Sequence, residues 1–94
     1  MMSLPSRMAV LNYMNEHDSV NVKSVMEALK PFYGNEKQFN ENLYLEHFMA
    51  LEANGLVELA SYNLDDKENL IMNYRINDDG REAVEKYVDK KYRN

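Results

Sequence analysis

Residues 36–87 read EKQFNENLYLEHFMALEANGLVELASYNLDDKENLIMNYRINDDGREAVEKY and contain the pattern that decides the fold. An amphipathic helical segment ends at Asn54-Gly55, where glycine can take the left-handed conformation without a Cβ penalty. Two runs typical of β-strands follow around a polar loop, and a second capped helical segment comes after them. This order predicts an α+β domain in which a β-hairpin lies between two helices.

The helix before the hairpin is predicted to begin at a capping box, Asn35-Glu36-Lys37-Gln38, in which Asn35 accepts from a backbone N–H and Gln38 reaches back. It is the third helix of the chain. The strands are predicted over residues 56–62 and 70–76, with residues 63–69 as the hairpin tip. The helix after the hairpin is predicted to start at the N-cap Asn77 and to carry Lys90, Lys91 and Arg93 in its last turn, where bases complement the helix dipole.

Two further helices are predicted before this region. The first covers residues 5–16, with Pro5 in its first turn. Val20-Asn21-Val22 fits either a short strand or the start of the second helix, for which Asn21 is a suitable N-cap. Pro31 is predicted to end that helix, because the residue before a proline is disfavoured in the helical conformation.

Composition limits the class of protein. The 94 residues are enough for one domain, residues 1–94, and 45% hydrophobic residues with ten aromatics favour a packed core. The absence of cysteine excludes disulfides and thiolate metal sites. Because there is no signal-peptide pattern and no long apolar run, we expect a cytoplasmic protein without a membrane partner.

Charge is unevenly distributed along the chain. Residues 35–70 hold eight acids and two bases, a net charge of −6, whereas the formal net charge of the whole chain is −5. A protein that binds DNA usually concentrates positive charge on its reading surface. The central third therefore favours a basic partner more than a nucleic acid.

Two segments carry a family resemblance. Residues 51–57, LEANGLV, and residues 74–82, YRINDDGRE, resemble the helix end and helix start of winged helix-turn-helix regulators of the MarR and PadR type. Small phage-associated winged-helix proteins are similar as well, including at residues 34–39. The resemblance covers most of the chain and implies an α+β winged helix-turn-helix: three helices, a β-hairpin wing and a C-terminal helix.

The same resemblance implies that the third helix and the wing bind double-stranded DNA in a transcriptional regulator. The residues expected to contact DNA lie at the starts of the second and third helices and on the wing. They are Lys23, Ser24, Lys37, Gln38, Asn42 and Lys67.

An alternative function is an acidic protein-interaction module that does not bind DNA. Leu45 and Met49 lie one turn apart on the third helix and would form an exposed apolar patch, with Glu41 and Glu46 as rim charges that attract a basic protein surface. A slight rotation of the helix would instead bury Leu45, and the sequence leaves both positions open.

The C-terminal helix suggests a homodimer. Val84, Tyr87 and Val88 recur on one side of it, and Tyr92 extends the apolar surface. The residues could pack against the first helix or against a second copy; we expect both, because the terminal helices of the resembled regulators form dimers.

No residue pattern indicates catalysis or a cofactor. His17 and His47 are the only histidines and lack a metal-binding spacing, and the three glycines are isolated rather than grouped in a phosphate-binding loop. We therefore expect a protein that is not an enzyme, with no metal site, and whose function is DNA binding in transcription or binding of a basic protein.

Overall fold

The computed structural model describes residues 4–93, which form a mixed α+β fold of four α-helices and one two-stranded antiparallel hairpin. This fold is compatible with a winged helix. The elements in chain order are α1 (Ser6–Met14), α2 (Val22–Tyr33), α3 (Glu41–Ala53), β1 (Val57–Leu64), β2 (Leu70–Ile76), α4 (Asp78–Tyr87) and a short 3-10 helix (Lys90–Tyr92).

The N-cap of α2 is the one predicted. Asn21 has extended backbone angles, and its side-chain oxygen accepts from the N–H of Ser24 at 2.9 Å. The hydroxyl of Ser24 accepts from the N–H of Asn21 at 3.0 Å, so the two residues form a capping box. Val20 forms an isolated antiparallel bridge with Tyr74, so the segment provides both a one-residue strand and a helix start.

The prediction that Pro31 ends α2 is wrong. The helix continues through Pro31 to Tyr33, and the N–H of Gly34 still donates to the carbonyl of Lys30 at 2.9 Å. A proline removes only its own hydrogen bond to the residue four positions earlier, and a position in the last turn leaves few later bonds to disturb.

The predicted start of α3 is also wrong. Residues 35–40 form turns, and the helix begins at Glu41 with Asn40 as its N-cap, whose side chain accepts from the N–H of Leu43 at 2.9 Å. Both Asn35 and Asn40 are suitable caps, and local sequence does not decide between them. The half-buried ring of Phe39 packs edge-on against Tyr44 at 5.2 Å between centroids, a contact that a helix started at Asn35 would have placed differently.

The end of α3 and the hairpin follow the prediction closely. Gly55 has φ of 75°, and the N–H groups of Gly55 and Leu56 donate to carbonyls of the last helical turn. Strand β2 has the predicted bounds, whereas β1 begins one residue later and ends two residues later than predicted. The tip is accordingly shorter, residues 65–69.

Helix α4 has the predicted N-cap but a different end. The side chain of Asn77 accepts from the N–H of Gly80 at 2.8 Å. The helix stops at Tyr87 because Val88 takes an extended conformation, so the predicted last turn is wrong: Lys90 and Lys91 belong to the 3-10 helix and Arg93 follows it.

Gly80 is required by packing. A Cβ atom added there would collide with the carbonyl oxygen of Leu56 and with the side chain of Ile76. The absence of a side chain lets the start of α4 approach the first residues of the hairpin.

The core lies among the helices and the lower half of the hairpin. Helix α3 packs against α1, α2 and β1, and α4 packs against α1 and β2. The rings of Phe48 and Tyr74 stack with centroids 4.9 Å apart, which joins α3 to β2. Across residues 4–93, no helix is both long and apolar enough to cross a membrane.

Candidate functional site

A groove of about 540 Å³ runs between the start of α2, the start of α3 and strand β2. It is the candidate functional site. Its lining residues are Asn21, Val22, Lys23, Glu41, Asn42, Leu45, Asp65, Asn69, Leu70, Ile71, Met72 and Tyr74.

The groove is apolar along the line where α3 meets the hairpin. Leu45 is half-buried and faces the groove, as does Met72. Leu70 is more exposed, at 59% of its possible surface. The exposure of Leu45 is thus intermediate between the two alternatives, an exposed patch and a buried side chain. Met49 is 55% exposed and lies outside the groove lining, so the structure does not place it in one pocket with Leu45.

Charged groups of the groove are mainly acidic. Glu41 and Asp65 are carboxylates on opposite elements, and Lys23 is the one cation among the lining residues. The pKa of Asp65 is lowered, first by the hydrogen bond from the N–H of Asn69 and further by that from Lys67, each at 2.8 Å, with a smaller contribution from the charge of Lys23. Asp65 therefore remains ionised at neutral pH.

The residues predicted to contact DNA lie on several elements. Lys23 and Asn42 both line the groove. Lys37 and Gln38 lie in the turns before α3, so their predicted positions on the third helix are wrong. Lys67 is exposed in the hairpin tip.

Ser24 is occupied by the cap of α2. Its hydroxyl donates to the carbonyl of Asn21 at 3.0 Å and accepts from the N–H of the same residue. A hydroxyl has one proton to donate, so Ser24 has no donor left for a phosphate while it donates to the carbonyl of Asn21.

Glu46, the second predicted rim acid, is exposed on α3 outside the groove lining. Several bases are engaged elsewhere. Arg75 forms a salt bridge with Glu58 at 2.6 Å, and Arg81 donates to both oxygens of Asn15, at 3.0 and 3.2 Å. Neither arginine is among the residues that line the groove.

The C-terminal residues predicted to form an interface divide into two groups. Val84 and Val88 are buried in the core of the same chain, so they are not free for a second copy. Tyr92 is half-buried, and its carbonyl accepts from Asn12 at 2.8 Å. Tyr87 alone of the four is strongly exposed, at 66%.

The exposed apolar residues of the hairpin are not among the site residues predicted from the sequence. Tyr62 is 69% and Leu64 is 61% exposed, and the register places them opposite Met72 and Leu70. Residues opposite one another in an antiparallel pair have side chains on the same face. The signal that could have found them is the alternation of large apolar residues along both strands.

Each of the two histidines contacts a residue of α1. His47 is half-buried, and its Nδ1 accepts from Arg7 Nε at 3.2 Å. Burial lowers the pKa of His47, and the nearby charge of Arg7 lowers it further. The ring of His17 stacks on that of Tyr13 at 3.9 Å. Within the described part of the chain, no three His, Cys, Asp or Glu residues are grouped so that they could hold a metal ion.

Searches of protein-family models and of curated proteins return no match to this chain.

Proposed function

We propose that this chain is an acidic winged-helix module that binds protein, and that the groove holds a basic amphipathic segment of the partner. The observation that carries the proposal is the composition of the groove. Glu41 and Asp65 flank an apolar line that includes Leu45, and Lys23 is the one cation in the lining. A bound segment with lysine or arginine beside apolar residues would match this arrangement.

The winged-helix assignment is supported by the way the elements meet. Helices α2 and α3 pack together, the hairpin follows α3, and Val20 extends the hairpin by one bridge to Tyr74. In helix-turn-helix proteins the second helix of the motif is the recognition helix. By analogy, the face between α3 and the hairpin is the surface such a domain uses for a partner.

Each part of the groove has a separate role in the proposed contact. The apolar side chains Leu45, Leu70 and Met72 supply binding free energy when covered, at roughly 25 cal/mol per Å² removed from water. The carboxylates contribute selectivity and faster association with a cationic partner, because complementary charge acts mainly on these two quantities.

Double-stranded DNA is a second candidate partner, and one observation favours it. Lys23 and Asn42, at the starts of α2 and α3, lie in the same groove, where both could contact a duplex. Lys67 lies at the hairpin tip but is flanked in sequence by Asp66 and Glu68. The acidic neighbours make this arrangement unfavourable for phosphates, so DNA remains the second candidate.

The test is a pair of titrations followed by NMR on the labelled chain. One probe is a synthetic amphipathic peptide of leucine and lysine, and the other is a DNA duplex of random sequence at about 50 mM salt. We expect the peptide to shift the amide signals of Glu41, Leu45 and Met72 saturably, while the duplex does not. A peptide with glutamate in place of lysine is the control. Saturable shifts with the duplex alone would transfer the proposal to DNA, and no shift with any probe would overturn it.

A charge reversal sharpens this test. Glu41→Lys should weaken binding of the lysine peptide by roughly fivefold or more, because an attractive pair becomes repulsive. Glu27→Lys is the matched control: Glu27 is also exposed on a helix but lies outside the groove lining. Equal effects of the two substitutions would mean that only net charge matters and that the groove is not the site.

A further inference from the structure

The outer side of β1 is an unpaired edge of the hairpin, whereas the outer side of β2 is bridged at Tyr74 by Val20. The strand pairs with β2 along its inner side, and all of its residues except Val57 are exposed. Within residues 4–93, no backbone group bonds to the outer side between residues 58 and 64; the nearest polar contact is from Asn63 Nδ2 to the Leu64 carbonyl, at 3.5 Å. An edge strand of this kind presents unpaired N–H and C=O groups to any chain that can match them.

The direction of those groups follows from the hydrogen bonds of β2. The N–H and C=O of Tyr74 both bond to Val20, at 2.7 and 2.9 Å, so they point away from β1. Opposite residues in an antiparallel pair either bond to each other or both point outward. Leu59, which lies opposite Tyr74, therefore directs its N–H and C=O to the free edge.

The same alternation fixes the remaining outward groups. At the tip, the N–H of Asp65 donates to Asn69, and at the base, the carbonyl of Leu56 accepts from Asn77, so these residues point inward. Their neighbours along β1, Leu64 and Val57, point outward. Tyr62, two residues before Leu64, also points outward. The register shift between Leu59 and Ser61 inserts one extra residue into β1, so Leu59 and Tyr62 both point outward although they are three residues apart.

The outward residues form a symmetric set. They are Val57, Leu59, Tyr62 and Leu64, whose spacing along the chain is the same read from either end. A second copy of the strand could therefore lie antiparallel to the first, related by a two-fold axis between Ala60 and Ser61. Each residue with outward N–H and C=O groups would then lie opposite another residue with outward groups.

We propose that β1 pairs with β1 of a second copy of this chain and that the two hairpins form one four-stranded sheet. Leu59 lies opposite Tyr62 of the second copy, and Val57 lies opposite Leu64 of the second copy. Two-fold pairing forms each contact twice. It also places the exposed side chains of Leu59, Tyr62 and Leu64 beside apolar side chains of the other chain.

Charge and sequence fit this partner. Glu58 is the one charged residue in β1, and it would face Asn63 of the second copy rather than Glu58 of the second copy. Its charge is already paired with Arg75 at 2.6 Å. The strand contains neither proline nor lysine, the residues that commonly protect a free edge from pairing.

The dimer is independent of the proposed peptide groove. The groove is lined by residues of β2 and the tip, whereas pairing uses the opposite side of the hairpin. The dependence on salt concentration also distinguishes dimer formation from peptide binding. Each chain carries a net charge of −5, so screening should strengthen association of two copies and weaken binding of a basic peptide.

The first experiment measures mass. Light scattering of the whole chain over about 10–500 μM should give twice the 11.1 kDa mass of one chain at the upper end. Tyr62→Pro removes an outward N–H and leaves the inward bonds of the hairpin. It should raise the dimer dissociation constant at least about tenfold, since the bond is lost twice. Leu70→Lys is the control on the other strand and should leave the mass unchanged. Circular dichroism checks that both variants fold.

A second experiment tests the register. The chain has no cysteine, so Ser61→Cys introduces a single thiol beside the two-fold axis. Mild oxidation should cross-link it, whereas Asp66→Cys at the tip should not cross-link. A monomeric mass over the whole range overturns the proposal. So does a dimer that survives Tyr62→Pro but dissociates with Leu70→Lys, which would mean contact between sheet faces. Equal cross-linking of the two cysteine variants also contradicts it.

Discussion

The two halves of the hairpin have the same apolar pattern but opposite environments. At the base, Val57, Tyr74 and Ile76 are buried, and Tyr74 stacks on Phe48 of α3. Beyond them, on the same face, Tyr62 and Leu64 remain exposed. The difference teaches that alternation determines which side chains share a face, whereas the presence of a helix beneath the strand determines which of them are buried.

The largest effect on the free energy of unfolding should come from a substitution that removes packing at the base of the hairpin. Phe48→Ala removes the ring that supports Tyr74 and leaves a cavity, so we expect a loss of about 3–5 kcal/mol in the free energy of unfolding. Urea denaturation measures it. Tyr62→Ala is the comparison in the exposed half and should cost well under 1 kcal/mol, as is usual for surface substitutions. Similar losses in both variants would contradict the division of the hairpin.

Gly80→Ala should have the next largest effect. The added methyl group would collide with the carbonyl of Leu56, and overpacking of this kind costs about 1–3 kcal/mol. Thermal unfolding measures the change. Ala83→Ser on the same helix is a control for altered side-chain chemistry without that collision. An unchanged melting temperature for Gly80→Ala would mean that α4 can move away from the hairpin at little cost.

Substitution of Leu64 should separate stability from association. Leu64→Ser should change the free energy of unfolding of the monomer by no more than about 0.5 kcal/mol, because the side chain is mostly exposed. It should weaken the proposed dimer, in which Leu64 faces Val57. Unfolding at low protein concentration and sedimentation at high concentration give the two quantities. A large loss of monomer stability would contradict this expectation, because it would mean that Leu64 supports the fold as the buried residues at the base do.

Acidification should affect the helical body before the hairpin tip. Burial lowers the pKa of His47, so its contribution to stability is full above about pH 6.5 and is lost as pH falls toward the folded-state value. The lowered pKa of Asp65 has the same sign but acts at lower pH: its contribution is full above the ordinary carboxyl range and is lost as pH falls through that range toward the folded-state value. Unfolding between pH 7 and 5 should show a slope that His47→Gln reduces and Asp65→Asn does not.

The sequence by itself determined the elements whose signals are local. Asn21 and Asn77 cap their helices through their own side chains, and Gly55 takes a conformation that few other residues tolerate. Strand β2 was predicted with its observed bounds, because alternation and the flanking polar residues mark its ends. These features depend on neighbours within a few positions, so no knowledge of the tertiary fold is needed to predict them.

Where two local signals of similar strength compete, the tertiary structure decided between them. Asn35 and Asn40 are both good caps, and α3 begins at Glu41 with Asn40 as its N-cap and with Phe39 packed on Tyr44. The groove and the free edge of β1 also depend on residues far apart in the chain: Lys23 and Asp65 line the same groove, and Val20 fixes which way the groups of Tyr74 point. Sequence periodicity specifies a face of one element, but which faces meet depends on the packing of all of them.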